Sequence, residues 1–510
     1  MSKPTIPALL STRAQSSPNK TFLYFEDLKV SYKELDLITN QVAHGLKTLG
    51  LKPQDKLCIL LPNSPEYVYL FLGAPKLGVT VVPINTALKQ EEIAYIIDNS
   101  DACAIVITSN HQELINNIKL TSDKLKYILL VGEQSLSQEL EAGWSNFSGL
   151  LKASNEPIDY SQSDSVVSIV YTSGTTGKPK GVMLTQSNYF YDSAQIASTF
   201  GMVEEERAMC ILPLFHVNGQ VVTILTPLQV GASLVLTTGF SPKTFFADLT
   251  RHQATTFSGV PTVYSILLNL PDREKYDLSK LRLCICGAAP MPVELFNQFE
   301  KAFNTIIIEG YGLSEGTCAS TANPVNGERK IGSIGLALPG QEVKIFDDQD
   351  KEVNIGEVGE IVVRGPNVML GYYKNEAATS ETLRNGWLHT GDLGRVDSEG
   401  YFYIVGRKKE MIIRGGENIY PKEIEEVLYL HQSIQEAAII GLPDPIWGEE
   451  VGAAIILKDG MLLNKDDIIS FCRTHLADYK CPRQVFFCSS FPKTATGKIQ
   501  KNKLVEQVLS

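Results

Sequence analysis

Short apolar runs alternate with helix-punctuated segments along most of this chain. Residues 32–49 read as a helix, opened by a Ser-x-x-Glu capping box at Ser31 and Glu34 and closed by Gly50. Runs at 56–61, 80–82 and 103–108 read as strands, with helical segments at 65–76 and 90–98 among them. Such alternation predicts an α/β protein with mainly parallel sheets. Two further runs, 168–171 and 182–184, flank a glycine-rich segment as a pair of strands, and 281–286 reads as another strand. No fixed-period repeat is present.

The pattern shifts near residue 408. Residues 400–407 read as a turn and strand, the charged tripeptide Lys408-Lys409-Glu410 follows, and a second strand leads to Gly415-Gly416. An amphipathic helix at 421–430, strands at 436–440 and 451–457, and a helix at 465–476 complete a module of about 100 residues, an ordinary domain size. The expected fold is therefore α/β (mixed α+β), with a large domain over 1–408 and a small α+β domain over 409–510. The longest apolar stretch, 221–236, is broken by Pro227, Gln229 and Gly231, short of the ~18 residues a membrane span needs, which leaves only peripheral membrane association open.

Composition narrows the classes. At 510 residues the chain exceeds one hydrophobic core, and 44% hydrophobic content suits a globular enzyme. A net charge of −11 argues against nucleic acid as a partner. Nine cysteines without a CxxC pair argue against a disulfide or zinc framework, so a reducing, cytoplasmic setting is expected. The N-terminal apolar run is too short for a secretion signal.

Between the runs at 168–171 and 182–184 lies Thr172-Ser173-Gly174-Thr175-Thr176-Gly177-Lys178-Pro179-Lys180-Gly181. Glycines let backbone N–H groups turn inward and the hydroxyls add neutral donors, which makes a phosphate cradle. It is not a Walker loop, because Lys178 is followed by proline and position 172 is threonine. Tyr311-Gly312-Leu313-Ser314-Glu315 supplies a ring for a base, a close-approach glycine, a hydroxyl, and a carboxylate suited to Mg²⁺. Gly287-Ala288-Ala289-Pro290 would let a flat base lie against backbone. Asp392, after a glycine turn, is placed to accept hydrogen bonds from a ribose.

The segment Ser173 to Gly181 closely resembles the signature of the adenylate-forming superfamily, which includes acyl-CoA synthetases, aryl-CoA ligases, luciferases and peptide-synthetase adenylation domains, and matching motifs follow in order from Pro213 to Lys498. The resemblance implies ATP, Mg²⁺ and coenzyme A as cofactors and a carboxylic acid as substrate. It implies that residues 172–178, Gly287, Ala288, Ala289, Pro290, Glu309, Gly310, Tyr311, Gly312, Ser314, Asp392 and Arg407 bind the nucleotide, with Glu315 and Thr175 toward the metal. Lys498, Glu315 and His216 are the implied catalytic residues, and His216, Gly219 and Gly259 the implied acid-binding ones. Lys409 falls at the pivot of a mobile C-terminal domain, whose Arg414-Gly415-Gly416-Glu417 loop would meet the pantetheine of CoA.

The expected activity is an AMP-forming acyl-CoA synthetase, monomer or homodimer, for a medium- or long-chain fatty acid, with Gly219, Ser258 and Gly259 leaving a tunnel open. Asn218 and Gln220 would suit a more polar acid, and a dicarboxylate would need a cation for which only Arg282 and Lys243 are near. Alternatives are a ligase for a short, dicarboxylic or aromatic acid, or a protein that binds AMP or stops at the adenylate. Amino-acid adenylation is disfavoured by His216-Val217-Asn218, where such domains carry an aspartate.

Overall fold

The computed structural model describes residues 5–119, 124–132, 143–172, 178–271, 273–287, 291–493 and 499–509. Among them the strands form four sheets. The first has a parallel centre, from Ile306–Tyr311 through Leu283–Cys286, Thr256–Gly259, Arg207–Cys210 and Ser233–Leu236 to Thr21–Phe25, with antiparallel strands at both ends. The second is parallel from Val166–Thr172 through Thr80–Pro83, Lys56–Leu60, Ala102–Thr108 and Tyr127–Val131 to Trp144–Asn146, and ends in the antiparallel strands Lys180–Thr185 and Gly371–Tyr372.

Period-two alternation explains why these strands read as continuous apolar runs. Leu57 and Ile59 face the core between the two sheets, whereas Cys58 and Leu60 face the outer helices Gln90–Ser100 and Gln112–Lys119. Likewise Leu283 and Ile285 point inward, and Cys284 and Cys286 pack on the outer helices Phe245–Arg251, Pro261–Asn269 and Val293–Phe303. The inner layer holds the helices Tyr32–Leu49, Pro65–Gly73 and Gln186–Thr199.

The helix over 32–49 has the expected capping box and a left-handed Gly50. The helix expected over 65–76 is α-helical only for Pro65–Gly73 and tightens to a 3₁₀ turn over Ala74–Leu77, because Pro75 lacks the N–H that would continue it. The third sheet departs from the parallel expectation: Glu342–Phe346, Gly359–Arg364, Trp387–Val396, Leu383–Arg384 and Phe402–Arg407 pair antiparallel throughout. A smaller C-terminal domain follows, with a mixed sheet of Glu417–Ile419, Ile412–Arg414, Gly448–Leu457, Ile434–Asp444 and Gln484–Phe487 packed on the helices Pro421–Tyr429 and Lys465–Arg473. The 3₁₀ turn Lys408–Glu410 joins the third sheet to this domain.

Candidate active site

Ser173, Gly174, Thr175, Thr176, Gly177, Ala288, Ala289, Pro290 and Lys498 lie outside the described residues. The stems of the glycine-rich loop are described: Thr172 pairs with Lys180 and Tyr171 with Gly181 across an antiparallel ladder, so the loop spans two strands as expected. A Cβ at Gly181 would lie 2.6 Å from Ile169 Cγ2, which accounts for glycine there. Lys178 is exposed beside the Tyr95 ring, its Nζ 5.2 Å from the centroid.

The strand Ile306–Tyr311 delivers the next group of residues. Tyr311 donates its hydroxyl to Asp392 Oδ2 at 2.7 Å, and Arg407 Nε lies 3.0 Å from Asp392 Oδ1. Asp392 and Arg407 face each other directly in the antiparallel pair of the third sheet, so sheet register brings together residues 15 positions apart. Burial, and then the Asp392 carboxylate, push the Tyr311 phenol well up, so it stays a donor. Glu360, buried, accepts from Gly391 N at 2.9 Å, lies 3.2 Å from His389 Nδ1, and thereby holds the turn before Asp392.

Past Tyr311 the chain reverses tightly. A Cβ on Gly312 would sit 1.9 Å from the Cys318 carbonyl oxygen, so only glycine fits. Thr317 adopts φ 68°, ψ −64°, and Cys318 N donates to Gly316 O at 2.9 Å, a strained γ-turn. Asn367 closes over it, accepting Thr317 Oγ1 on its carbonyl at 2.5 Å and donating Nδ2 to Gly316 O at 3.1 Å. The turn presents Glu315, whose Oε1 accepts the Tyr372 hydroxyl at 2.8 Å and whose carbonyl accepts Met369 N at 2.8 Å. Among the described residues no cluster of three His, Cys, Asp or Glu could hold a metal. A lone carboxylate still fits Mg²⁺, which is commonly held by one or two protein carboxylates plus substrate phosphates.

Glu309 is 5% exposed; its Oε1 accepts Met291 N at 3.2 Å and its Oε2 has no hydrogen-bond partner. Burial pushes this carboxyl up to about 7. Lys422, whose Nζ donates to Ile404 O at 2.8 Å, brings a C-terminal-domain charge into its field.

The His216 ring lies tilted against that of Phe215, centroids 4.5 Å apart, and desolvation pulls its imidazole down to about 4, so it is neutral. The segment that follows is a π-helix, Gly219–Leu225, held by a buried polar network. Tyr189 donates to Gln220 Oε1 at 2.6 Å, and Gln220 Nε2 donates to Leu214 O at 2.9 Å and Tyr67 OH at 3.2 Å. Gln220 is therefore consumed structurally rather than offered to a polar acid, whereas Asn218 Oδ1 and Ser258 Oγ are buried without partners.

Three residues named for this region have close neighbours in the fold. Gly219 and Gly259 do not open space at their Cβ positions: one would meet Pro213 O at 2.8 Å, the other the Tyr264 ring at 3.3 Å. Arg282 is no spare cation, since its Nε pairs with Glu206 Oε1 at 2.6 Å. In the C-terminal domain Gly415 and Gly416, at φ 60° and 92°, form the two-residue turn of the hairpin Ile412–Arg414/Glu417–Ile419. Arg414 there pairs with Glu450 at 2.7 Å and lies over Trp447 at 4.7 Å.

Sequence reasoning missed Tyr372, Asn367 and Glu360. Their partners lie 29 to 57 positions away in the chain, so no local pattern signals them.

Residues 10–373 match the model of the AMP-binding enzyme family, and residues 423–498 match the AMP-binding enzyme C-terminal domain. The chain belongs to this family. This AMP-binding enzyme is 34% identical to a long-chain-fatty-acid–CoA ligase of Bacillus subtilis (strain 168), over 99% of this chain and 94% of that protein. It is 32% identical to an oxalate–CoA ligase of Arabidopsis thaliana, over 100% of this chain and 99% of that one. Its fold superposes on the crystal structure of the anthranilate CoA ligase AuaEII in complex with anthranoyl-AMP with a TM-score of 0.92 at 31% identity, covering 99% of this chain and 97% of that chain. The enzyme is an AMP-forming acid–CoA ligase whose substrates are ATP with Mg²⁺, CoA and a small-molecule carboxylic acid, in the broad sense that covers every acid of the family. Among its described residues no helix is long and apolar enough to cross a membrane.

Proposed function

We propose that this enzyme activates a monocarboxylic acid with an uncharged body, a medium- or long-chain fatty acid, and transfers the acyl group to CoA. The observation that carries the reading is His216: a half-buried imidazole that desolvation keeps neutral, beside a π-helix whose one glutamine is already bonded, so neither of these two side chains offers a charge to a second acidic group. Arg282, paired with Glu206, supports the same conclusion.

In the adenylation step a carboxylate oxygen of the acid bonds the α-phosphorus of ATP as the bond to pyrophosphate breaks. Asp392 and Arg407 hold the ribose, the Tyr311 ring takes the adenine, and the unfilled Glu309 Oε2 is the kind of buried acceptor an exocyclic amine would satisfy. The loop over 172–178 cradles the phosphates and Lys498 bridges carboxylate and α-phosphate. Mg²⁺ on Glu315 would draw off phosphate charge when bound. In the second step the CoA sulfur bonds the acyl carbon, AMP leaves on its phosphate oxygen, and the thiol proton passes to solvent. Rotation about Lys409 would withdraw Lys498 and bring Gly415, Gly416 and Glu417 to the pantetheine.

Pyrophosphate release measured over a panel of acids tests the substrate. A fatty-acid site gives kcat/KM rising by a few-fold per methylene, from ~0.8 kcal/mol each, up to a length limit, with little turnover of oxalate or malonate. Preference for a dicarboxylate overturns the reading. A second reading, a compact aromatic acid, is favoured by the filled Cβ positions at Gly219 and Gly259, and would show as benzoate-type acids outrunning every fatty acid.

A further inference from the structure

Tyr372 joins the two halves of the phosphate site. It lies in the two-residue strand Gly371–Tyr372, which extends the second sheet by pairing with Lys180–Thr185, the strand that leaves the phosphate loop. Its backbone is fixed on both sides: Tyr372 N donates to Thr379 Oγ1 at 2.9 Å, Leu370 N to Met183 O at 3.0 Å, and Tyr373 N to Gly181 O at 2.8 Å. Its ring is 7% exposed and carries the Lys180 ammonium 5.0 Å from its centroid. Its hydroxyl reaches Glu315 Oε1 at 2.8 Å, while Met369 N, three residues earlier, holds the Glu315 carbonyl. One short segment thus anchors both ends of Glu315.

A neutral donor on one carboxylate oxygen fixes the rotamer of Glu315 without cancelling its charge, and leaves the second oxygen for a hard cation. An arginine or lysine in the same place would neutralise it. The Lys180 charge on the ring face polarises the phenol toward a stronger donor.

We propose that Tyr372 is a positioning residue for metal–nucleotide binding: its hydroxyl holds Glu315 in the orientation that receives the divalent ion and ties that carboxylate to the strand leaving the phosphate loop. The proposal rests on the reading of Glu315 as the metal carboxylate.

The test is equilibrium binding of ATP to the full chain, with Mn²⁺ as the probe metal and with EDTA, by calorimetry and by Mn²⁺ electron paramagnetic resonance. Tyr372→Phe keeps the ring, the Lys180 contact and the packing and removes only the donor. Binding of Mn²⁺–ATP is expected to weaken about ten- to thirtyfold, the range of a charge-assisted hydrogen bond, with metal-free ATP binding and the thermal midpoint unchanged. Equal weakening with and without metal would mark a merely structural role and overturn the proposal, as would unchanged Mn²⁺–ATP binding. Glu315→Gln separates the two readings. If it leaves Mn²⁺–ATP binding intact, the metal role of Glu315 fails; if it weakens binding and Tyr372→Phe does not, only the Tyr372 proposal fails. Should Tyr372→Phe fold poorly, Glu315→Asp, which draws the carboxylate back from the hydroxyl, must show the same metal-selective loss, and its absence overturns the proposal.

Discussion

Glu309→Gln should make the enzyme's stability less dependent on pH. In the folded chain burial raises the Glu309 carboxyl from 4.5 to about 7, against the partial relief of Met291 N, Lys422 and the Gly332 backbone, with Glu426 adding to the rise. Below pH 4.5 folded and unfolded chains both carry the proton; between 4.5 and about 7 only the folded chain does, so stability falls as pH rises and the loss is complete above about 7. At ~1.36 kcal/mol per unit this amounts to about 3 kcal/mol in total, of which about 2 kcal/mol falls between pH 5.5 and 8.5. Glutamine keeps the acceptor for Met291 N and cannot ionise. The thermal midpoint of the variant relative to wild type, followed by circular dichroism without nucleotide, should therefore rise by roughly 2–4 °C on going from pH 5.5 to 8.5, at roughly 1–2 °C per kcal/mol for a domain this large. A difference between the two proteins that is the same at both pH values, or that shrinks at high pH, would refute the buried-carboxyl argument.

Asp392→Asn should weaken ATP binding about ten- to a hundredfold in calorimetry, because it removes the charge that Arg407 and Tyr311 organise. Lys498→Ala should slow acid-dependent pyrophosphate formation by ~10² to 10³ and leave thioester formation from synthetic acyl-adenylate and CoA nearly intact, whereas Lys409→Pro should impair the thioester step more. Equal loss of both steps in each variant would count against a rotating domain. Gly219→Ala should lower stability by about 1–3 kcal/mol and reduce turnover of all acids alike, since the new methyl meets Pro213 O at 2.8 Å rather than an acyl chain; a selective loss of long acids would show that Gly219 lines the tunnel after all.

Local chemistry made much of this protein legible in its sequence. The capping box at Ser31 and Glu34, the apolar strands and the hairpin that frames the phosphate loop are decided by residues a few positions apart, and they stand where the pattern puts them. The glycine at 312 is likewise a local necessity, though the atom that demands it, Cys318 O, is seen only in the folded turn. Strand pairing is different. Nothing within 342–407 distinguishes antiparallel from parallel partners, because direction is settled by which strands meet, and the ladder that sets Asp392 opposite Arg407 depends on that choice. The acid-binding region depends on the fold for a related reason: a small residue in a sequence suggests space, but what lies at its Cβ position is set by what the fold brings against it, and at Gly219 and Gly259 that is Pro213 O and the Tyr264 ring. Tyr372 and Glu360 exert their effect through carboxylate and backbone partners 57 and 31 residues away, and the pairing and packing of strands far apart in the chain is what brings them together.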